Sequence, residues 1–287
     1  MPELPEVETI KLGLSRKIIG KTITTVNIYN KKSFQGNKKL VEKKKVLAVE
    51  RRAKVIRLTL ENNKNLLFHL KMTGQLIYIE KNNKRIAGGH PSSDWQDNLP
   101  NKYTRIEFSF NKGTKLFFND LRKFGWCKIV SDQEVEKEFS RYGPEPFSKD
   151  LNTNYLLEKA QKIPNRTIKQ FLMDQSIVAG LGNIYNDETL FLSKIHPKTK
   201  VSKLNKNDWN VIIKTVIKVL RKGIKYGGTT DSNYVDAEGK SGGMQNYLNA
   251  YHRTDKLCKN KCGSKIKRIK IGGRGTYYCP KCQKEKK

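Results

Sequence analysis

The first apolar residues of the chain recur at offsets of three and four. Val7, Ile10, Leu14 and Ile18 share one face and predict an opening helix over residues 5–19. From Lys21 to about Val130 the period changes to two. Ile23 and Val26, then Ile56, Leu58 and Leu60, then LLFHL, QLIYI, RIEFSF and KLFF alternate between Asn, Lys and Gly turns, which predicts a β-rich domain of seven or eight strands. Residues 80–101 keep neither period and read as a long surface loop inside that domain. Pro144 and Pro146 in GPEPF mark a boundary, after which helical spacing returns over 151–161, 165–174, 183–193 and 207–226. The last stretch sets Val211, Ile212, Val216, Val219 and Leu220 on one face. Glycine-rich residues 227–248 read as a mobile loop or lid.

Composition changes this picture through charge. The 287 residues carry 58 Lys+Arg against 27 Asp+Glu, a formal net charge of +31, while 36% hydrophobic residues in patterned stretches are enough for a buried core. A basic excess of this size points to a polyanionic partner, nucleic acid first, with an anionic membrane surface or simple solubility as the alternatives. No apolar run approaches the roughly 18 residues of a membrane span. The N-terminus carries Glu3, Glu6 and Glu8 where an export signal would be basic, so a cytoplasmic protein without a membrane partner is expected. Residues 253–287 hold 13 basic and 2 acidic side chains, whereas the first ten residues hold three glutamates and no cation. An acidic island in so basic a chain suggests chemistry.

Four of the five cysteines form two close pairs, Cys258-x3-Cys262 and Cys279-x2-Cys282, separated by a hairpin-length spacer. Four thiolates so arranged suit one structural zinc ion; two disulfides are the alternative, and the intracellular reading disfavours them. The spacer carries Gly272, Gly273, Arg274, Gly275 and Thr276, a tight turn that presents one arginine. Cys127 stands apart and reads as a small core residue. At the other end, removal of the initiator methionine would leave Pro2 with a free secondary amine. An α-amino group titrates near pH 7.7–8.0, so about a tenth or more of it is nucleophilic at neutrality. Glu3 beside it can transfer a proton and Glu6 can orient the end. In VAGLGNIY, Gly180 and Gly182 precede Asn183 at a helix start, which suits a phosphate but on these residues alone reads first as an ordinary interhelical turn.

MPELPEVETI at the start, RRAK at 51–54, HLKMTG at 69–74, NDLRKFG at 119–125, GPEP at 143–146, DQSIVAGLGNIYNDE at 174–188, IHP at 195–197, GGTT at 227–230 and GRGTYYCPKCQ at 273–283 run the length of the chain in order. Together they closely resemble the formamidopyrimidine-DNA glycosylase family. The resemblance implies an α+β fold: a helix-flanked β-sandwich over 1–140, a helix-two-turn-helix domain with a lesion-capping loop over 147–248, and a zinc-ribbon-like β-hairpin over 249–287.

It further implies a monomeric DNA glycosylase and abasic-site lyase that acts on damaged double-stranded DNA, excising 8-oxoguanine and formamidopyrimidines with one zinc ion and no organic cofactor. By matching positions, Pro2 is the nucleophile, Glu3 the acid, and Glu6 a support. Lys54 and Arg274 match residues that contact phosphate and assist β- and δ-elimination. Met72, Arg122 and Phe124 match side chains that fill the gap left by an extruded base, while Tyr103 and Asn183 match phosphate contacts. Cys258, Cys262, Cys279 and Cys282 match the zinc ligands. The chain departs from the family in its Cys-x3-Cys spacing, in Leu121 where a proline is usual, in Tyr103 where a histidine is common, and in Pro164 near a DNA-contacting lysine. Two other readings stand beside this one: an endonuclease-VIII-like enzyme for oxidised pyrimidines, which Leu4 disfavours, and a non-enzymatic zinc-dependent DNA binder.

Overall fold

The computed structural model describes residues 1–81, 99–229 and 242–286, with 85–89 described as backbone. It divides into two compact units, one of Met1–Ser140 with Gly223–Gln245 and the other of Arg141–Lys222 with Asn246–Lys287.

The first unit opens with α1 (Leu4–Ile18). Its helix start is set by Glu3 at the N-cap, Pro5 in the first turn and the Glu6 carboxylate, which accepts the Glu3 backbone N–H at 2.8 Å. The stripe Val7, Ile10, Leu14 and Ile18 lies fully in the core, as the spacing predicts. Ten strands follow among the described residues: β1 (Thr22–Ile28), β2 (Phe34–Gln35), β3 (Lys44–Arg52), β4 (Val55–Leu60), β5 (Lys64–His69), β6 (Gly74–Ile79), β7 (Arg85–Gly89), β8 (Thr104–Phe110), β9 (Thr114–Asp120) and β10 (Trp126–Ser131). The order is β2-β10-β5-β4-β3-β1-β8-β9-β6-β7. Among the described residues the two five-stranded halves pair only through the short β1–β3 ladder, Thr22↔Lys45 and Ile23↔Lys44. They fold face to face, because Phe68 on β5 meets Phe108 on β8 and Phe118 on β9 edge-on at 5.7 and 6.1 Å. The core is therefore that of a sandwich, with α1 packed into the same apolar cluster.

The strand count exceeds the expected seven or eight for two reasons. β2 is only two residues long, and Arg85–Gly89, expected as loop, pairs along its whole length with β6. Residues 82–84 and 90–98 of that expected loop lie outside the described residues. A short helix, α2 (Asp132–Phe139), also follows β10, started by a capping box between Ser131 and Glu134.

The second unit holds α3 (Thr153–Lys162), α4 (Ile168–Met173), α5 (Asn183–Leu192) and most of α6 (Lys206–Lys225), then a hairpin of β11 (Lys267–Ile271) and β12 (Arg274–Tyr278). Side-chain oxygens of Asn152 and Thr167 cap α3 and α4. On α6 the buried face is Trp209, Ile212, Val216, Val219 and Leu220, with Trp209 against Phe171 at 5.3 Å. Val211, expected on that face, is 37% exposed, since a helix stripe through 209, 212 and 216 turns position 211 outward. Cys127 is fully buried in the sandwich core, as expected. Among the described residues, no helix is long and apolar enough to cross a membrane.

Candidate functional site

The first unit buries its acidic start. Pro2 is buried, Glu3 is 2% exposed and Glu6 3%. Glu6 divides its carboxylate between two backbone donors, the Glu3 N–H at one oxygen and the Thr229 N–H, 2.7 Å away, at the other. Its charge thereby pins the helix start to the strand of chain that leads into residues 230–241, which lie outside the described residues. The glycine-rich loop expected at 227–248 falls mostly in that stretch.

Lys54 occupies the two-residue turn between β3 and β4, where Arg52 pairs with Val55. Ala53 in that turn has φ +52°, and Lys54 is 5% exposed, so a cation is held almost wholly within the fold. His69, which is not among the site residues expected from sequence, sits at the end of β5 opposite Val55 and Trp126. Burial, then the charges of Lys71, Lys54 and Lys128, push its imidazole down to about 3. The neutral ring accepts the Lys71 N–H at Nδ1, 3.0 Å away, which leaves the proton on Nε2. HLKMTG thus supplies a neutral donor among lysines, and its histidine beside a basic turn was the available signal.

Asp120, at the end of β9, organises the remaining first-unit candidates. One oxygen accepts the Thr73 hydroxyl and, at 3.2 Å, the Arg122 N–H; the other accepts the Gly125 N–H at 2.7 Å. The Thr73 hydroxyl also accepts the Arg122 N–H at 3.0 Å. Thr73, the neighbour of Met72, and the 121–125 turn are therefore fixed to the same carboxylate. Position 125 admits only glycine, because a Cβ there would lie 2.7 Å from the Phe118 ring. Tyr103 joins the group through its carbonyl, which accepts the Asp120 N–H at 3.0 Å, and buried Arg105 donates to the Asp120 carbonyl at 2.8 Å. Arg122 stacks over Phe124 at 4.9 Å, with Phe124 55% and Leu121 52% exposed. The Asp120 framework thus holds the Phe124 ring out in water, with the Arg122 guanidinium over it.

The second unit brings Asn183 and the hairpin together. Asn183, first residue of α5, donates its amide N–H to the Gly275 carbonyl at 3.0 Å. Below it, fully buried Lys169 donates to Asp187 at 2.7 Å and to the Asn183 carbonyl at 3.1 Å, and Asp187 accepts the Tyr277 N–H at 3.0 Å. Burial raises the Asp187 carboxyl to about 7 against the opposing pull of Lys169 and the Tyr277 N–H. Gly272 and Gly273, at φ +53° and +77°, make the two-residue turn, and Arg274 leaves it exposed to solvent. Glu188, also buried, accepts the backbone N–H groups of Asn249, Ala250 and Tyr251 and so fixes the chain that leads to the first cysteine pair.

The four cysteine sulfurs lie within 4.8 Å of one another, with Cys258–Cys282 at 3.8 Å and Cys262–Cys279 at 3.5 Å. Thiolates about 2.3 Å from a shared tetrahedral ion sit about that far apart, well beyond the roughly 2.05 Å of a sulfur–sulfur bond. The Cys282 and Asn260 N–H groups point at sulfurs, at 3.4 and 3.6 Å, as the outer shell of such a site requires. The extra residue in Cys-x3-Cys leaves the set intact, and it fits one structural zinc ion.

Residues 1–127 match the model of the formamidopyrimidine-DNA glycosylase N-terminal domain, 142–234 that of the family's H2TH domain, and 256–284 that of a zinc finger found in FPG and IleRS. The chain belongs to the formamidopyrimidine-DNA glycosylase family. It is 38% identical over 292 residues to the formamidopyrimidine-DNA glycosylase of Ligilactobacillus salivarius, covering 99% of each chain. To that of Prochlorococcus marinus (strain NATL1A) it is 40% identical over 299 residues, covering 99% of this chain and all of the relative. Among solved structures it is similar to Lactococcus lactis Fpg in complex with abasic-site DNA, with a TM-score of 0.87 and 32% identity over 99% of this chain and 100% of the other. A Lactococcus lactis Fpg variant bound to Fapy-dG-containing DNA gives the same values. The α+β architecture, with its large N-terminal sheet, helical H2TH region and zinc-finger hairpin, is that of these relatives.

Proposed function

We propose that this protein is a bifunctional glycosylase and abasic-site lyase for oxidised purines in duplex DNA, working as a monomer in the cytoplasm. The observation that carries the reading is the buried Pro2–Glu3 start of an otherwise strongly basic family member, held in place by Glu6.

Once Met1 is removed, the Pro2 nitrogen attacks the anomeric C1′ of the damaged nucleotide. The bond from C1′ to the base breaks, the base leaves with a proton, and Glu3 protonates the sugar oxygen as the ring opens. The resulting iminium withdraws electrons from the C2′–H bond. Loss of that proton expels the 3′ phosphate, a second elimination expels the 5′ phosphate, and water releases the enzyme. Lys54 and Arg274 hold phosphates for these two steps, and Tyr103 and Asn183 contact the backbone. Met72, Arg122 and Phe124 enter the gap left by the extruded base, offsetting an unstacking cost of a few kcal/mol. Zinc shapes the hairpin that carries Arg274 and takes no part in bond breaking.

The test is borohydride trapping of protein verified to begin at Pro2, on duplexes with 8-oxoguanine or an oxidised pyrimidine. A covalent adduct with 8-oxoguanine, lost in Pro2→Gly while DNA binding persists, is expected. Adduct with the pyrimidine lesion alone would move the chain to endonuclease-VIII-like chemistry, and no adduct with either lesion would leave a DNA binder.

A further inference from the structure

One guanidinium links α1, the helix that Pro2 and Glu3 lead into, to the turn that carries Lys54. Arg51, near the end of β3, donates from Nε to the Glu8 carboxylate at 2.7 Å and from Nη1 to the Ala53 carbonyl at 2.8 Å. Its side chain is 8% exposed and that of Glu8 16%. Glu8 lies in the second turn of α1, about 7.5 Å along the axis from Glu3 at 1.5 Å per residue. Ala53 is the left-handed residue of the two-residue turn, φ +52°, and Lys54 is the next residue. Lys11 braces Glu8 from the helix side at 2.8 Å. Burial alone would raise the Glu8 carboxyl, but the hydrogen bonds and charges of Lys11 and Arg51 outweigh it and hold it below the ordinary carboxylate range. Glu8 is therefore ionised and the bridge is charge-assisted.

We propose that Arg51 is a positioning residue for the elimination step, fixing Lys54 relative to Pro2 and Glu3 through the Glu8–Arg51–Ala53 bridge. This rests on the reading of Lys54 given above. The planar fork of arginine explains the choice of side chain. Two donors at fixed angle reach a carboxylate on one element and a carbonyl on another, which the single ammonium of lysine does not reproduce. In a chain with 58 cations this one holds the fold's own groups instead of phosphate.

The experiment uses the full-length, zinc-loaded protein on a duplex with a preformed abasic site, with enzyme in excess, at a temperature where circular dichroism shows each variant folded. Strand scission and borohydride-trappable adduct are followed separately. Arg51→Met and Glu8→Ala should slow scission about ten- to a hundredfold, as misplacement by about 1 Å does, while adduct formation stays within about twofold of the parent. Arg51→Lys should fall between, and Glu8→Gln, which keeps an acceptor for Arg51, should recover most of the rate lost in Glu8→Ala. Equal losses in adduct and scission, or no recovery with Glu8→Gln, would mark a merely structural pair and overturn the proposal. Unchanged scission in the Arg51 variants, with Lys54→Ala impaired, would overturn it while sparing the role of Lys54. If Lys54→Ala itself cleaves normally, the reading of Lys54 fails first and the inference falls with it.

Discussion

Replacing Lys169 by methionine removes one half of a buried ion pair on which the second unit is assembled. The Lys169 and Asp187 side chains are 1% and 0% exposed, 2.7 Å apart, and each also bonds to backbone, Lys169 to the Asn183 carbonyl and Asp187 to the Tyr277 N–H. Losing the ammonium strands a carboxylate with one remaining donor, and breaking such a pair costs about 3–5 kcal/mol. The cost has a pH signature. Burial already raises Asp187 to about 7, and removing its cation raises it further. A carboxyl raised in the folded state binds its proton more tightly there than in the unfolded chain, so stability is present at low pH and lost as pH rises toward the folded value. Lys169→Met should therefore be more destabilising at pH 8 than at pH 5.5, and the difference should develop above about pH 7, where the parent carboxyl has lost its proton and the variant's has not, by up to about 1.4 kcal/mol per pH unit. The double variant Lys169→Met with Asp187→Asn keeps an acceptor for Tyr277 and leaves no stranded charge, so it should recover most of the loss. Urea unfolding at both pH values, with hydrogen exchange of α4, α5 and β12 peptides, measures this. A single-variant cost below about 1 kcal/mol, or one larger at pH 5.5 than at pH 8, would refute the reasoning.

Four further outcomes are expected. Cys262→Ser, or chelation, should remove one zinc equivalent per chain and weaken duplex binding at least about tenfold through the hairpin; unchanged affinity in metal-free protein would contradict that role. Because His69 is held neutral in the folded chain, the unfolded chain takes up a proton first as pH falls below about 6.5, and stability should decline by up to about 1.4 kcal/mol per unit relative to His69→Asn. A difference that stays flat between pH 7 and 5 would show a charged imidazole. Asp120→Asn should loosen the 121–125 turn and reduce discrimination between damaged and undamaged duplex about tenfold with zinc content unchanged, read by competition binding. Duplex affinity should fall with salt with a log–log slope of about −0.9 per neutralised phosphate, and a slope near zero would mean that the net charge does not act on phosphates.

Elements with a local signature are legible in the residues themselves. α1 and the long strands announce themselves by period, and the cysteine spacing requires only that two knuckles meet across a hairpin. α2 is hard to see because eight residues carry little periodicity, although Ser131-x-x-Glu134 is a readable capping box. β7 is hidden because its glycines look like loop until β6 is present to pair with them. Phe124 is exposed because Asp120 dictates the path of the turn on either side of it, through bonds that exist only once the chain has folded.

The polar frameworks are illegible for a different reason: their members are far apart in sequence. Glu8 and Arg51 are 43 residues apart, Thr73 and Asp120 47, Lys169 and Asp187 18. In so basic a chain each such cation reads as one more contribution to polyanion binding or solvation. Burial separates them. Lys54, Arg105 and Lys169 are 5%, 7% and 0% exposed, and Arg105 and Lys169 point at carbonyls and a carboxylate of the chain itself. Desolvating a cation is costly unless it is paired, so each buried one marks a place where geometry has been favoured over a simpler apolar contact. Those places coincide with the Lys54 turn, the loop carrying Arg122 and Phe124, and the helix start at Asn183. The net charge thus combines two populations: many exposed cations, and a few buried ones that hold the fold's own carbonyls and carboxylates in place.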